Sequence, residues 1–401
     1  MQASQDMKRT PLANRINGCL ETLRPLVDAH ITAERIRHYV ASISSVAAPS
    51  TAASVLRGPI LRELLRETKD LENNKLHFYL NFQETGNTVI LTGTKDIRKK
   101  IWYFAHLDTI SYLVQPRQRL RYPLVPFCHH MIQKGKRPAV VYRFIPGNSR
   151  YEIVALGTLE SEDAHPFFRP KSGDPRLGPG DRIVFSSEYE EDAETGDFSA
   201  HIDNAGGVSA LLAAAPVLAA AGIEALIAFP DEEEGPPGGG NQVIGRGSAR
   251  ILNLLPVPEL VIVSDVQQVG AEGQRRIRGN GPRLGHGAVL SEFSSLARGA
   301  VTPPHLYALA IEFIDTLQAM GIKVQKSRNT YTSRSDDISA ILKTPNVLLL
   351  GFPGLNRHFD LGRPKANIHD LVNLAKAMVY FSALRKELQQ TWKRFEGRDD
   401  D

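Results

Sequence analysis

Four short runs in this 401-residue chain are apolar at almost every position: "IWYFA" (101–105), "ALIAF" (225–229), "LVIV" (260–263) and "VLLLGF" (347–352). A strand without a polar face cannot lie on a surface. It belongs in a sheet covered on both sides, which means helices above and below. The chain supplies helical patterns between the runs, in "DNAGGVSALLAAAPVLAAAG" (203–222) and "PPHLYALAIEFIDTLQAMG" (303–321), and a closing helix over "HDLVNLAKAMVYFSALRKELQQTWKRF" (369–395). The expected fold class is therefore α/β, with a mixed, mostly parallel sheet flanked by helices.

Upstream, residues 1–75 read as helical from the amphipathic spacing of "RIRHYVASISSV" (35–46) and "LRGPILRELLRETKDLE" (56–72). The period then changes to strands at "KLHFYLNF" (75–82) and "NTVILTGT" (87–94). Between 111 and 190, turn signals such as "PGN" and "KSGDPRLGPGD" separate short strand-like runs, "PAVVYRFI", "YEIVALGTL" and "DRIVFSSE". The expected organisation is one α/β domain in two segments, 1–110 and 191–401, interrupted by a β-rich module at 111–190.

Bulk properties exclude several classes. Net charge is +4, and the basic stretches "QPRQRLRY" (115–122) and "GQRRIRG" (273–279) are too short for a nucleic-acid surface. Two cysteines, Cys19 and Cys128, cannot build a disulfide framework or a cysteine-rich zinc module. The most apolar window, 210–229, is broken by Pro216, Gly222 and Glu224, so it reads as helix, turn and strand rather than a membrane span. No secretory leader is visible. The expectation is a cytoplasmic protein with neither nucleic acid nor membrane as partner.

The informative polar residues lie at the carboxyl ends of the apolar runs. "IWYFAHLD" ends in His106 and Asp108, "ALIAFPDEEE" in Asp231 to Glu234, and "LVIVSD" in Asp265. "VLLLGFPGLNRH" leads to Arg357 and His358, and "HIDNAGG" sets Asp203 and Asn204 just ahead of a long apolar helix. Taken singly each has an ordinary role: Asp203 or Asn204 as a helix cap, Asp265 as a turn, His106 as a satisfied core histidine. Together they gather two imidazoles and at least three carboxylates on the sheet edge where open α/β sheets bind ligands. That donor set suits one or two borderline divalent ions such as zinc, manganese or cobalt, provided one carboxylate bridges. A spare acid beside such ions is what metal-assisted hydrolysis needs as a proton acceptor.

These motifs resemble those of the co-catalytic metallopeptidases of the glutamyl-aminopeptidase, tetrahedral-assembly type, from about residue 40 to 385. More distantly they resemble the peptidase T and carboxypeptidase relatives. The resemblance implies that His106 in "AHLDT" is a metal ligand oriented by Asp108, and that Asp203 in "HIDNAGG" bridges. With Gly235 as anchor, "PDEEEG" makes Glu232 the general base and Glu233 a ligand, leaving Glu234 at a variable position. Asp265 and His358 complete the ligand set. "GPRLGHGAVL" and "SRSDDISAI" resemble structural segments of the family, and the β-rich insert sits where it carries its dimerisation domain, implying a homo-oligomer.

Two departures lie where substrate would be gripped. "DNAGG" lacks a basic residue after the bridging motif, and "PPGGGNQ" replaces an arginine-bearing turn. Arg357 could hold a substrate carboxylate or form a structural ion pair, and Asn204 is the other substrate candidate. "PPGGGN" could cover the site or be an exposed turn, and His129–His130 reads as a surface or interface pair. The expected activity is removal of N-terminal residues from short peptides. The alternative is a small-molecule amidohydrolase or deaminase on the same scaffold, such as 5-nitroanthranilic acid aminohydrolase. A non-enzymatic binding protein would have been expected to lose a ligand position.

Overall fold

The computed structural model describes residues 11–70, 72–73, 75–128, 132–235, 245–269, 281–327, 335–359 and 361–398. Three helices open the chain: α1 (Pro11–His30), α2 (Ala33–Ser44) and α3 (Ala53–Arg66). In α2 the buried Ile36, Tyr39, Val40 and Ile43 fall on one helical face, and the Thr32 side chain caps the first turn by accepting from the Arg35 amide. Strands β1 (Leu76–Tyr79), β2 (Thr88–Thr92) and β3 (Ile101–Phe104) follow. Next come six strands, β4 (Ser111–Val114), β5 (Tyr122–Phe127), β6 (Gly135–Ile145), β7 (Arg150–Glu162), β8 (His165–Pro170) and β9 (Arg182–Phe185).

The chain then returns through β10 (Glu190–Glu191), β11 (Asp197–Ser199), α4 (Ile202–Ala220), β12 (Ala225–Phe229) and α5 (Arg246–Leu254). It continues with β13 (Leu260–Val263), β14 (Val266–Gln268), β15 (Ala288–Ser291), α6 (Pro304–Ala319) and β16 (Val324–Lys326). The last elements are α7 (Asp337–Ala340), β17 (Val347–Gly354), β18 (Ala366–Asn367), α8 (Ile368–Phe381) and α9 (Leu384–Phe395).

Among the described residues, nine strands form the main sheet, in the order β1-β2-β12-β3-β13-β17-β15-β16, with β14 pairing alongside β17. The four at its centre, β12, β3, β13 and β17, run parallel and are the four apolar runs of the sequence. Their side chains alternate between two cores. Tyr103, Ile227 and Ile262 pack with α2, α4, α6 and α8, while Trp102, Phe104, Leu226 and Val261 face the opposite core with α5 and α7. That alternation explains why no polar position survives in these strands. Helix α4 is long and apolar enough to cross a membrane by length and composition, yet it is buried throughout within the core.

The module expected to be β-rich is a closed antiparallel barrel, β4-β5-β8-β7-β6-β9, filled by Tyr112, Val141, Leu159, Phe168, Ile183 and Phe185. The fold is thus α/β with an inserted β barrel. The closing helix differs from expectation: it breaks at Ser382–Ala383 into α8 and α9, where Ser382 folds its hydroxyl back onto the Val379 carbonyl. The pair His129–His130, the "PPGGGNQ" segment and "GQRRIRG" lie outside the described residues.

Gly351 on β17 shows how tightly the central strands meet. A Cβ there would stand 1.9 Å from the Asp265 carbonyl oxygen, a backbone atom that cannot swing aside. Replacing Gly351 with alanine should therefore destabilise the fold by about 2 kcal/mol or more. Urea unfolding checks this, and an unchanged midpoint would show that the two strands can part at little cost.

Candidate metal centre

The four parallel strands deliver the predicted polar residues to one edge of the sheet. His106 follows β3, the acidic run follows β12, Asp265 follows β13, and Arg357 and His358 follow β17. Asp203 stands at the start of α4 with a non-helical backbone, φ −93° and ψ 107°, and its peptide bond to Asn204 is cis. His106, Asp203, Glu233, Glu234, Asp265 and His358 are all buried.

Asp203 is the hub. Its Oδ1 lies 3.0 Å from His106 Nε2, and its Oδ2 lies 3.0 Å from His358 Nε2 and 3.2 Å from Arg357 Nη1. His358 Nε2 also reaches Glu234 Oε2 at 3.3 Å, while His106 Nε2 is 3.6 Å from Glu233 Oε2 and 3.9 Å from Asp265 Oδ1. Three trios of donors hold their ligand atoms within 4.8 Å of one another: His106–Asp203–Asp265 and Asp203–Glu234–His358, which share Asp203, and His106–Glu233–Glu234. Asp265 Oδ2 is buried with no hydrogen-bond partner among the described residues.

Asp108 organises this edge without belonging to any trio. Its carboxylate accepts from Ser50 Oγ at 2.6 Å and from the amides of Glu233 and Glu234, each at 3.1 Å. The same group lies 3.5 Å from His106 Nδ1, which also sits 3.1 Å from the Asp108 carbonyl oxygen. Behind it Arg57, fully buried on α3, donates to the carbonyls of Val46 and Leu107 at 2.7 and 2.8 Å.

The acidic run is the principal difference from the sequence expectation. Glu232, expected beside the ions, adopts a left-handed φ of 60°, and its carboxylate accepts from Arg250 at 2.8 Å with Arg246 at 3.7 Å. It belongs to none of the trios. Glu233 stands beside His106, and Glu234, expected at a variable position, joins Asp203 and His358. The preceding acid, Asp231, accepts from the amides of Thr51 and Ala53 and so caps α3. Asn204, a substrate candidate, is used inside the protein: its amide donates to the Ser264 carbonyl at 2.7 Å and its oxygen accepts from Gly207 at 3.1 Å. A Cβ on Gly207 would come within 2.4 Å of that oxygen, which accounts for the glycine in "DNAGG".

Electrostatics follow from crowding. Burial pushes the carboxyls of Glu233, Glu234 and Asp265 up, and their mutual repulsion adds to it, while the imidazoles oppose it. Burial would also raise Asp203, but Arg357, His106 and His358 outweigh it and hold that carboxyl well below the usual range. Burial lowers both imidazoles, yet the surrounding acids win, taking His106 well above its ordinary value and His358 to about 9. Asp336, fully buried at the start of α7, is pushed by burial to about 7, and it in turn raises Glu233. Arg57, Asp336 and Glu234 were not singled out as site residues from the sequence. Arg57 reads there as an amphipathic-helix charge, and Asp336 as one half of an ordinary acidic pair.

No protein-family model matches the sequence, and no curated protein does either. Solved structures do. The aminopeptidase APDkam598 from the archaeon Desulfurococcus kamchatkensis superposes with a TM-score of 0.68 at 16% identity, over 89% of this chain and 98% of that one. A TET aminopeptidase from a marine-sediment thaumarchaeote gives 0.67 at 14% identity, over 90% and 99%. The TET1 peptidase of Pyrococcus horikoshii, described as assembling into a tetrahedron or a large octahedral shell, gives 0.64 at 17%, over 87% and 98%. The fold is that of the tetrahedral aminopeptidases.

The raised groups predict how stability depends on pH when a chelator is present. His358, folded at about 9 against an ordinary 6.5, contributes stability that is complete below about pH 6.5 and lost as pH rises through about 9. Asp336, raised from 3.8 to about 7, acts in the same direction at lower pH. The melting temperature in chelator should therefore fall from about pH 6 to about pH 9. A flat or rising profile by scanning calorimetry would contradict this.

Proposed function

We propose that this chain is a divalent-metal-dependent hydrolase of C–N bonds, acting as an aminopeptidase on short peptides. The observation that carries the reading is the pair of donor trios joined through Asp203, on the sheet edge where this fold class binds ligands. The donor set, imidazole and carboxylate, fits zinc, manganese or cobalt, and the unpartnered Asp265 Oδ2 supplies a further ligand atom. His106, Asp203 and Asp265 would hold one ion, and Asp203, Glu234 and His358 a second.

When bound, such ions lower the pKa of a water and polarise the scissile carbonyl. The rest is done by side chains. Glu233, buried and with its affinity for a proton raised by burial and neighbouring acids, takes the proton from the attacking water and returns it to the leaving amine. Asp108 fixes the amides of Glu233 and Glu234 and the face of His106, so that base and ligands keep one geometry. Glu232, bound to Arg250, has no part in proton transfer.

The small-molecule alternative has Arg357 or the glycine-rich loop holding a substrate carboxylate. The guanidinium is engaged with Asp203, which counts against its part in that reading, and the loop lies outside the described residues. We further propose a cytoplasmic protein that self-associates through the barrel, where Phe144, Ile153 and Leu156 stand 44%, 53% and 53% exposed on neighbouring strands β6 and β7.

Three single substitutions test the assignment. Glu233→Gln should lower kcat/KM on short peptides by about 10²- to 10⁴-fold with metal content intact. Asp265→Asn should lower metal content, and Glu232→Gln should leave both nearly unchanged. Loss of turnover in Glu232→Gln with retention in Glu233→Gln would return the base to Glu232. Product analysis scores free amino acids against free ammonia, and ammonia from arylamines with peptides left intact would overturn the peptidase reading.

A further inference from the structure

The two donor trios joined through Asp203 share that residue but not an environment. Asp203 turns Oδ1 toward His106, whose Nε2 lies 3.0 Å away. It turns Oδ2 toward His358, and there Arg357 Nη1 stands 3.2 Å away. The arginine side chain is only 8% exposed, so water does little to screen it. It adjoins His358 in sequence and lowers that imidazole's proton affinity, which places its charge beside both the shared oxygen and the second imidazole.

An arginine cannot surrender its proton inside a protein, so this charge is permanent. A dication on the Asp203 Oδ2, Glu234 and His358 side would meet a fixed like charge at short range. A dication on the other side would use the Asp203 oxygen turned to His106, although the same charge still reaches Asp265. Arg357 also occupies lone-pair space on the very oxygen that the second ion needs.

Resting on the reading of this site as a divalent-metal centre, we propose that it is functionally mononuclear. The ion binds tightly with His106, Asp203 and Asp265, and the Arg357 guanidinium takes the charge-neutralising place of a second ion beside Asp203 and His358. Arg357 is thereby a positioning residue for Asp203 rather than a substrate clamp.

Zinc titrated into chelator-stripped protein by calorimetry, with elemental analysis after gel filtration, tests this. The full-length chain should retain one equivalent and bind a second at least about 100-fold more weakly, as expected for a like charge a few ångströms away. Arg357→Met should tighten the second equivalent by at least about tenfold and leave the first within a few-fold. Arg357→Lys, which keeps the charge, should still show one tight equivalent, and circular dichroism confirms that both variants fold. Two tight equivalents in the unaltered protein would overturn the proposal, as would an Arg357→Met variant whose second equivalent stays weak. An unaltered protein that takes up no tight zinc would instead overturn the metal-centre reading on which it rests.

Discussion

The Asp108 carboxylate is the constraint on which the site depends. It is fully buried between three segments far apart in sequence: Ser50 ahead of α3, the loop after β3, and the acidic run after β12. A buried carboxylate is tolerable only when its lone pairs are satisfied. Here a hydroxyl and two amides satisfy it, and those donors are the ones whose fixation determines where Glu233 and Glu234 point. Arg57 completes the arrangement from behind by holding the Leu107 carbonyl between His106 and Asp108. Burial lowers that guanidinium to about 10, with Asp108 as the leading charge that opposes the shift. The buried arginine and the buried aspartate thus stabilise each other across one residue of loop.

The same constraint explains the turn at Glu232. Asp231 is committed to capping α3, and Glu233 and Glu234 are committed through their amides to Asp108. The residue between must reverse the chain, and it does so with a left-handed φ that glutamate adopts only at some cost. Its side chain is left at the rim, where Arg250 and Arg246, each about 40% exposed, receive it. Four consecutive acids therefore have different surroundings: Asp231 caps a helix, Glu232 forms a turn and an ion pair with Arg250, and Glu233 and Glu234 face the buried histidines.

Much of this was legible in the sequence because it follows from periodicity. Runs without a polar position have to be central strands, and the polar residues directly after them have to meet on one edge. The placing of His106, Asp265 and His358 on that edge follows from this, whereas Asp203, ahead of α4, was indicated by the motif resemblance. The register of "DEEEG" does not. Three successive glutamates offer three equivalent alignments, and the choice is made by amide contacts to Asp108, more than 120 residues away. Asn204 misled for a related reason: a polar residue beside a ligand position reads as a substrate contact until its amide is seen joining Ser264 to Gly207. The break between α8 and α9 depends on a local serine back-bond that helical spacing on either side conceals.

Confining so many carboxylates at a strand edge opposes folding, since desolvation and repulsion both favour the protonated forms. The chain offsets this in two ways. At some acids backbone amides are directed at the carboxylate, as at Asp108, Asp231 and Asp337, the last accepting from the amides of Ala300 and Ser335. Where an acid must keep its charge, a permanent cation is set beside it, as Arg357 is beside Asp203. The loop carrying Arg357 and His358 is in turn anchored by Phe359, which packs into the barrel core and stacks on Phe185 with ring centroids 5.0 Å apart. The inserted barrel is therefore not a mere appendage. By fixing Phe359 it sets where the final arginine and histidine stand, and so couples its own packing to the charge balance of the site.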